Sequence, residues 1–184
     1  MKVLKRLLIL LVFIFILYFV LFHLLGLENK IMKIAYPQEY AEYVTKYAEE
    51  CEVDPLLIFA IIKAESDFNP QSKSHNNAKG LMQLMDKTAI ELSKQVEVDL
   101  YDPETNIRLG TYYFSQLLEK YDNQVGIALA AYNAGMGNVN NWIERGTIKA
   151  DGTDLENIPY KETNMYVRRI LNDYEMYQKL YLSE

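Results

Sequence analysis

Residues 54–66, DPLLIFAIIKAES, run into a polar loop, DFNPQSKSHNNAK (67–79), and then a second apolar turn, GLMQLM (80–85). Asp54 and Pro55 make a helix start, with Asp as N-cap and Pro at the first helical position. Leu57, Ile58, Ile61 and Ile62 recur at helical spacing. Glu65 falls on the same stripe, three and four residues beyond them. It is therefore expected in the last turn of a buried helix, facing the core. Apolar surroundings and the negative end of the helix dipole both disfavour an ionised carboxylate there. Both raise its pKa, which suits a group that holds a proton near neutral pH and then gives it away. The same pattern also fits a solvated glutamate at a helix end, and periodicity alone leaves both readings open.

The surrounding chain predicts a mainly α protein. Helices are expected over 37–51, 54–66, 86–94 (with Asp86 as N-cap), 102–121, 125–134, 138–145 and 160–181. Ile107, Gly110, Phe114, Leu117, Leu118 and Tyr121 share one face of the fourth, and Gly135 ends the fifth. Residues 146–158 read as a polar loop. A short hairpin within 71–83 is the most sheet the sequence allows. Most of the 15 tyrosines fall at helical spacing with Val, Ile and Leu, as core or boundary residues.

The N-terminus is a separate unit. Lys2, Lys5 and Arg6 precede an apolar run from 7 to 27, interrupted only by His23 and Gly26. Some 21 helical residues span about 30 Å, one bilayer core. No small-x-small cleavage site and no cysteine ends the run, so it reads as an uncleaved anchor rather than a signal peptide. The basic residues place it as a single-pass segment with residues 28–184 on the extracytoplasmic side. The domains expected are an anchor at 1–27, a linker at 28–36 and a globular domain at 37–184. His23 reads as an interfacial residue.

Setting aside Lys2, Lys5 and Arg6 leaves 16 basic against 25 acidic residues, about −9. That argues against nucleic acid or anionic lipid as the main partner. Cys51 is the one cysteine, and His23 and His75 are the two histidines. They offer neither an intrachain disulfide nor metal-ligand spacing, and no cofactor is expected. Cys51 reads as a half-buried thiol.

Glu65-Ser66, Gly80-Leu81-Met82-Gln83, Ala131-Tyr132-Asn133-Ala134-Gly135 and Glu162-Thr163 with Tyr166-Val167 occur in this order. Together they resemble the catalytic domain of the soluble lytic transglycosylases, over roughly residues 40–181. The resemblance implies a lysozyme-like α-helical fold and a peptidoglycan substrate. It implies cleavage of the β-1,4 bond between N-acetylmuramic acid and N-acetylglucosamine. Glu65 would protonate the leaving oxygen and then, as carboxylate, deprotonate the muramic acid C6 hydroxyl, which closes a 1,6-anhydro ring. Ser66 would orient the turn, and Ser74 and Gln83 would contact substrate. Met82, Leu84 and Met85 would form wall, Leu84 fitting a core role as well. Tyr132 and Asn133 would line the cleft, the Tyr132 hydroxyl holding Glu65 or the N-acetyl carbonyl, with Tyr166 beside them. Glu162 would anchor substrate or backbone.

Two positions depart from the family pattern. Asp86 stands where many members have Pro, and Phe68 where many have Trp; both bear on substrate detail. A goose-type lysozyme, which hydrolyses the bond, is the alternative enzyme, and a wall-binding protein without activity is the alternative of another class. Ordinary glycosidases use two carboxylates. Asp67 should point away from Glu65, and no strong second candidate is evident.

Overall fold

The computed structural model describes residues 2–24, 26–94 and 97–182; of the side chains at 2 and 22–24, His23 among them, nothing is described. The chain divides into two compact units that meet between Pro37 and Gln38. In the first, helix α1 (Lys2–Leu24) contains a segment, Val3–Leu21, long and apolar enough to cross a membrane. Gly26 follows in a left-handed conformation (φ 60°), and helix α2 (Leu27–Ala35) begins. The stretch expected as a linker is thus largely helical, because Leu27, Ile31 and Ile34 recur at helical spacing.

The second unit is built of α3 (Ala41–Glu50), α4 (Pro55–Ser66), α5 (Asp86–Ser93), α6 (Pro103–Lys120), α7 (Val125–Ala134), α8 (Met136–Glu144) and α9 (Lys161–Tyr181). A 3-10 turn, Leu155–Asn157, interrupts the polar loop before α9. No strand forms among the described residues; the expected hairpin is reduced to isolated bridges, Lys73 to Lys79 and Lys79 to Leu84.

Helix α4 is the axis of this unit. Asp54 caps it by accepting from Leu56 N at 2.8 Å, and Tyr174 donates to the other oxygen at 2.5 Å. Every residue from Leu56 to Ile62 is buried, so the helix is enclosed on all sides rather than along one stripe. Helices α3 and α9 pack on it. Helix α9 contributes the stripe Thr163, Val167, Ile170, Asp173, Tyr177 and Leu180, and Tyr177 stacks on Phe59 with ring centroids 5.8 Å apart. Helix α7 is buried from Ile127 to Ala131 and packs between α6 and α9. Its alanines let the neighbouring backbones approach closely.

The loop between α4 and α5 is held by one buried polar side chain. Asn106, in the first turn of α6, donates to Lys79 O (2.9 Å) and Leu100 O (2.8 Å) and accepts from Met82 N (2.7 Å). Gly80 lies against this knot with φ +75°, and a Cβ there would collide with Leu100 O and the Asn106 amide. Both the backbone conformation and the space require glycine.

Three helix starts and the placement of two side chains differ from expectation. Helix α3 starts at Ala41 rather than 37, because Tyr40 takes a left-handed conformation, φ 57°. Asp86 is the first residue of α5 and not its cap; its carboxylate is held by Lys79 Nζ at 2.7 and 2.8 Å. Helix α8 starts at Met136, directly after Gly135 (φ 85°). Met82 is no wall residue: it is fully buried, with its side chain against Gly110. Leu84, at 2 % exposure, belongs to the core.

Candidate active site

Glu65 sits in the last turn of α4, as its stripe predicts. The helix ends one residue later, at Ser66, because Asp67 and Phe68 are both left-handed, with φ 48° and 63°. The Phe68 ring is buried near Phe59, which offsets the backbone strain of a bulky residue at positive φ. Asp67 is exposed and pairs with Lys63 at 3.0 Å. It is removed from the site, as expected.

Three hydrogen bonds define the surroundings of Glu65. The Tyr166 hydroxyl, from α9, donates to Glu65 Oε1 at 2.6 Å. The Ser66 hydroxyl donates to Leu81 O at 2.8 Å, fixing the end of α4 to the 80–85 turn. The Tyr132 hydroxyl, from α7, donates to Met82 O at 2.7 Å. The expectation that Tyr132 holds Glu65 is therefore corrected: Tyr166 does so, and Tyr132 holds the loop. Sequence periodicity could not assign these two hydroxyls, because each partner lies on a different helix.

Burial pushes the Glu65 carboxyl up from 4.5 to about 7. The Tyr166 hydrogen bond and the Arg169 charge act in the opposite direction and are the smaller effects. Arg169 also donates to Lys63 O at 3.3 Å, so it lies at the carbonyl end of α4. Burial, and then the neighbouring Glu65 charge, hold the phenols of Tyr132 and Tyr166 well above their ordinary range, so both remain donors. A carboxyl half protonated at neutral pH, with a fixed donor on one oxygen, can act as an acid and, once ionised, as a base.

Glu65 lies where two lobes of a cleft meet. One, of about 570 Å³, is lined by Ser74, Gln83, Met85, Tyr132, Asn133 and Glu162 among others. The second, of about 600 Å³, shares Glu65, Asn133 and Glu162 and adds Met165, Tyr166 and Arg169. The cleft thus brings together every expected site residue except Ser66, whose hydroxyl is directed to main-chain carbonyls. Gln83 is left-handed (φ 48°) and donates its amide to Gly80 O (2.9 Å) and Ser72 O (3.2 Å). Its amide oxygen remains as an acceptor towards a ligand N–H. Ser74 Oγ accepts from Ala78 N at 3.0 Å and so orders the loop while lining the cleft. Asn133 is set by Thr163, whose hydroxyl donates to its Oδ1 at 2.8 Å.

The sequence matches the family described as Transglycosylase SLT domain over residues 42–154, more than half of the chain. The chain belongs to the SLT domain family. It is 33% identical over 157 residues to the soluble lytic murein transglycosylase of Salmonella typhimurium, covering 81% of this chain and 24% of that protein. It is 36% identical over 119 residues to the membrane-bound lytic murein transglycosylase C of Edwardsiella ictaluri, covering 55% of this chain and 32% of that one. Among solved structures it is similar to an inactive mutant of the lytic transglycosylase Slt from Pseudomonas aeruginosa. There the TM-score is 0.74 and the identity 33%, over 80% of this chain and 25% of that one. The chain spans about a quarter of the length of the soluble relative. At this identity the likeness carries the lysozyme-like SLT fold expected from the motifs.

Some cleft residues of this SLT domain escaped the sequence reading. Tyr160 lines the first lobe, half exposed, with its ring held edge-on by Trp142 at 5.0 Å. Asn76 and Lys161 also face that lobe. Tyr160 precedes the regular stripe of α9, so no period singled it out. Cys51 is half-buried with its thiol pushed up by burial, in keeping with a core role. Among the described residues no cluster of His, Cys, Asp and Glu could hold a metal ion.

Proposed function

We propose that this chain is a peptidoglycan lytic transglycosylase with Glu65 as acid and then base. The observation that carries the reading is Glu65 itself: its carboxyl is near half protonation at neutral pH, pinned by Tyr166, at the junction of two cleft lobes. A glycan strand laid through both lobes puts its scissile bond beside Glu65. The acid donates its proton to the glycosidic oxygen, the C1–O bond breaks, and the N-acetyl carbonyl of muramic acid closes on C1. The Glu65 carboxylate then removes the C6 hydroxyl proton. O6 attacks C1, the N-acetyl group is released and the 1,6-anhydro ring forms, with the proton back on Glu65. No water enters.

Gln83 and Asn133 are suited to acetamido groups, each being an amide held by its own partner. Glu162, exposed in the first turn of α9, anchors a sugar hydroxyl or backbone. The enzyme is read as membrane-anchored through residues 7–27, crossing once, with the cleft on the extracytoplasmic side. The apolar α1, the preceding basic residues and the similarity to a membrane-bound relative support that placement.

The test is mass spectrometry of muropeptides released from purified wall by the full chain in detergent. The expected products carry 1,6-anhydro ends, lighter by one water than reducing ends. Reducing ends that take up heavy oxygen from labelled water would establish a hydrolase. Wall binding without release of fragments would establish the non-catalytic alternative.

A further inference from the structure

Helix α2 has no counterpart in the catalytic reading, and none of its residues is buried. At about 100° per residue, Leu27, Ile31, Ile34 and Ala35 fall in a single arc, with Glu28 and Lys30 at its two edges and Asn29, Met32 and Lys33 on the far side. Ile31 is 55 % and Ile34 80 % exposed. Large apolar side chains left in water are costly against burial. Its place in the chain indicates what covers it. The segment Val3–Leu21 is long and apolar enough to span a bilayer, and α2 starts six residues beyond its end. Between them, left-handed Gly26 interrupts the helix, so α2 is not the same helix continued.

We propose that α2 lies in the plane of the membrane interface, with Leu27, Ile31, Ile34 and Ala35 in the acyl boundary and Lys30 and Lys33 at the lipid headgroups. The physical pattern is that of interfacial amphipathic helices: an apolar stripe, a cationic face and little net hydrophobicity. Lys30 and Lys33 match the charge of anionic headgroups, which the acidic catalytic unit does not. Only residues 36–40 separate α2 from α3, at most about 17 Å of extended chain. The proposal rests on the bilayer reading of α1 and on nothing in the catalytic site.

The test uses the full chain in vesicles of phosphatidylcholine and phosphatidylglycerol, with tryptophan placed singly by Asn29→Trp, Ile31→Trp, Lys33→Trp and Ile34→Trp. The vesicles contain lipids brominated near the headgroup end of the acyl chains, and the native Trp142 signal is subtracted. Emission at positions 31 and 34 is expected to fall about twofold or more and shift to the blue, while positions 29 and 33 stay unquenched. Equal quenching at all four would overturn the proposal, as a helix sunk in the acyl core. Absence of quenching at 31 and 34 in vesicle-bound protein would overturn it as well, since protein, from this chain or a second copy, then covers that face. A chain that fails to float with the vesicles would remove the anchor itself, independently of wall cleavage.

Discussion

The Tyr166 hydroxyl and Glu65 Oε1 are joined by a 2.6 Å hydrogen bond across 101 residues of sequence. The donor favours the ionised carboxylate and so opposes the burial that favours the acid. Tyr166→Phe should therefore raise the Glu65 pKa and move the alkaline limb of the pH–activity profile to higher pH. The loss of orientation should lower kcat by roughly tenfold, the scale of one well-placed hydrogen bond. A limb that stays where it is in the variant would dissociate Tyr166 from the titration of the acid.

Tyr132→Phe is the contrasting change. Its hydroxyl serves the Met82 carbonyl, so removal leaves a buried acceptor without a partner, about 1–3 kcal/mol. Thermal unfolding should shift down by several degrees while the alkaline limb of activity remains in place. Together the two variants separate the tyrosine that tunes the acid from the one that holds the loop.

Glu65→Gln should lower activity by about 10²–10⁴-fold, the usual contribution of general acid–base catalysis. Its stability should show a pH dependence of defined sign. The folded carboxyl titrates near 7 against 4.5 for the ordinary group. The contribution of Glu65 to stability is thus fully present below about pH 4.5 and is lost as pH rises through about 7. Glutamine does not titrate. At about 1.4 kcal/mol per pKa unit the limit is about 3 kcal/mol, and the partly exposed edge of Glu65 reduces it to about 1–2. Unfolding curves of the two proteins should coincide near pH 4 and separate above pH 7, with the variant the more stable. A variant less stable at pH 8 would contradict the buried-acid description.

Asn106→Ala removes three hydrogen bonds at once and leaves Leu100 O and Met82 N unpaired, while Lys79 O keeps Leu84 N at 3.0 Å. About 3 kcal/mol or more should be lost, which for a domain of this size is about 6–12 °C in Tm. Wall cleavage should fall with it even well below Tm, because the 80–85 turn carries Gln83 and Met85 into the cleft. Calorimetry and an activity assay at 15 °C would check both effects.

Local signals were legible, and long-range partnerships were not. Asp54 and Pro55 announce the start of α4, and the Leu57–Ile62 stripe places Glu65 in its last turn because both features are read within one helix. Gly80 is legible for the same reason: a glycine between polar and apolar turns signals a close backbone approach. The Tyr166–Glu65 bond is different. Tyr166 shares its spacing with Tyr174 and Tyr177, and nothing in a 3.6-residue period says which ring meets a carboxyl on another helix. Asn106 interrupts an apolar stripe beside Ile107, a signal that goes unnoticed until its three main-chain partners are in place. Asp86 was misjudged because a carboxylate at a helix start suits a cap, while the cation that holds it, Lys79, comes from the preceding loop.

Helix α9 can pack against α4 only after the whole stretch between them has been made. Until then Glu65 has neither Tyr166 beside it nor the surroundings that raise its pKa, and it is an ordinary carboxylate, ionised at neutral pH. A chain still being synthesised therefore carries Glu65 in the wrong protonation state for an acid. On the proposed function, the catalyst arms itself by finishing its fold, a chemical safety catch for an enzyme that would cut the wall of its own cell.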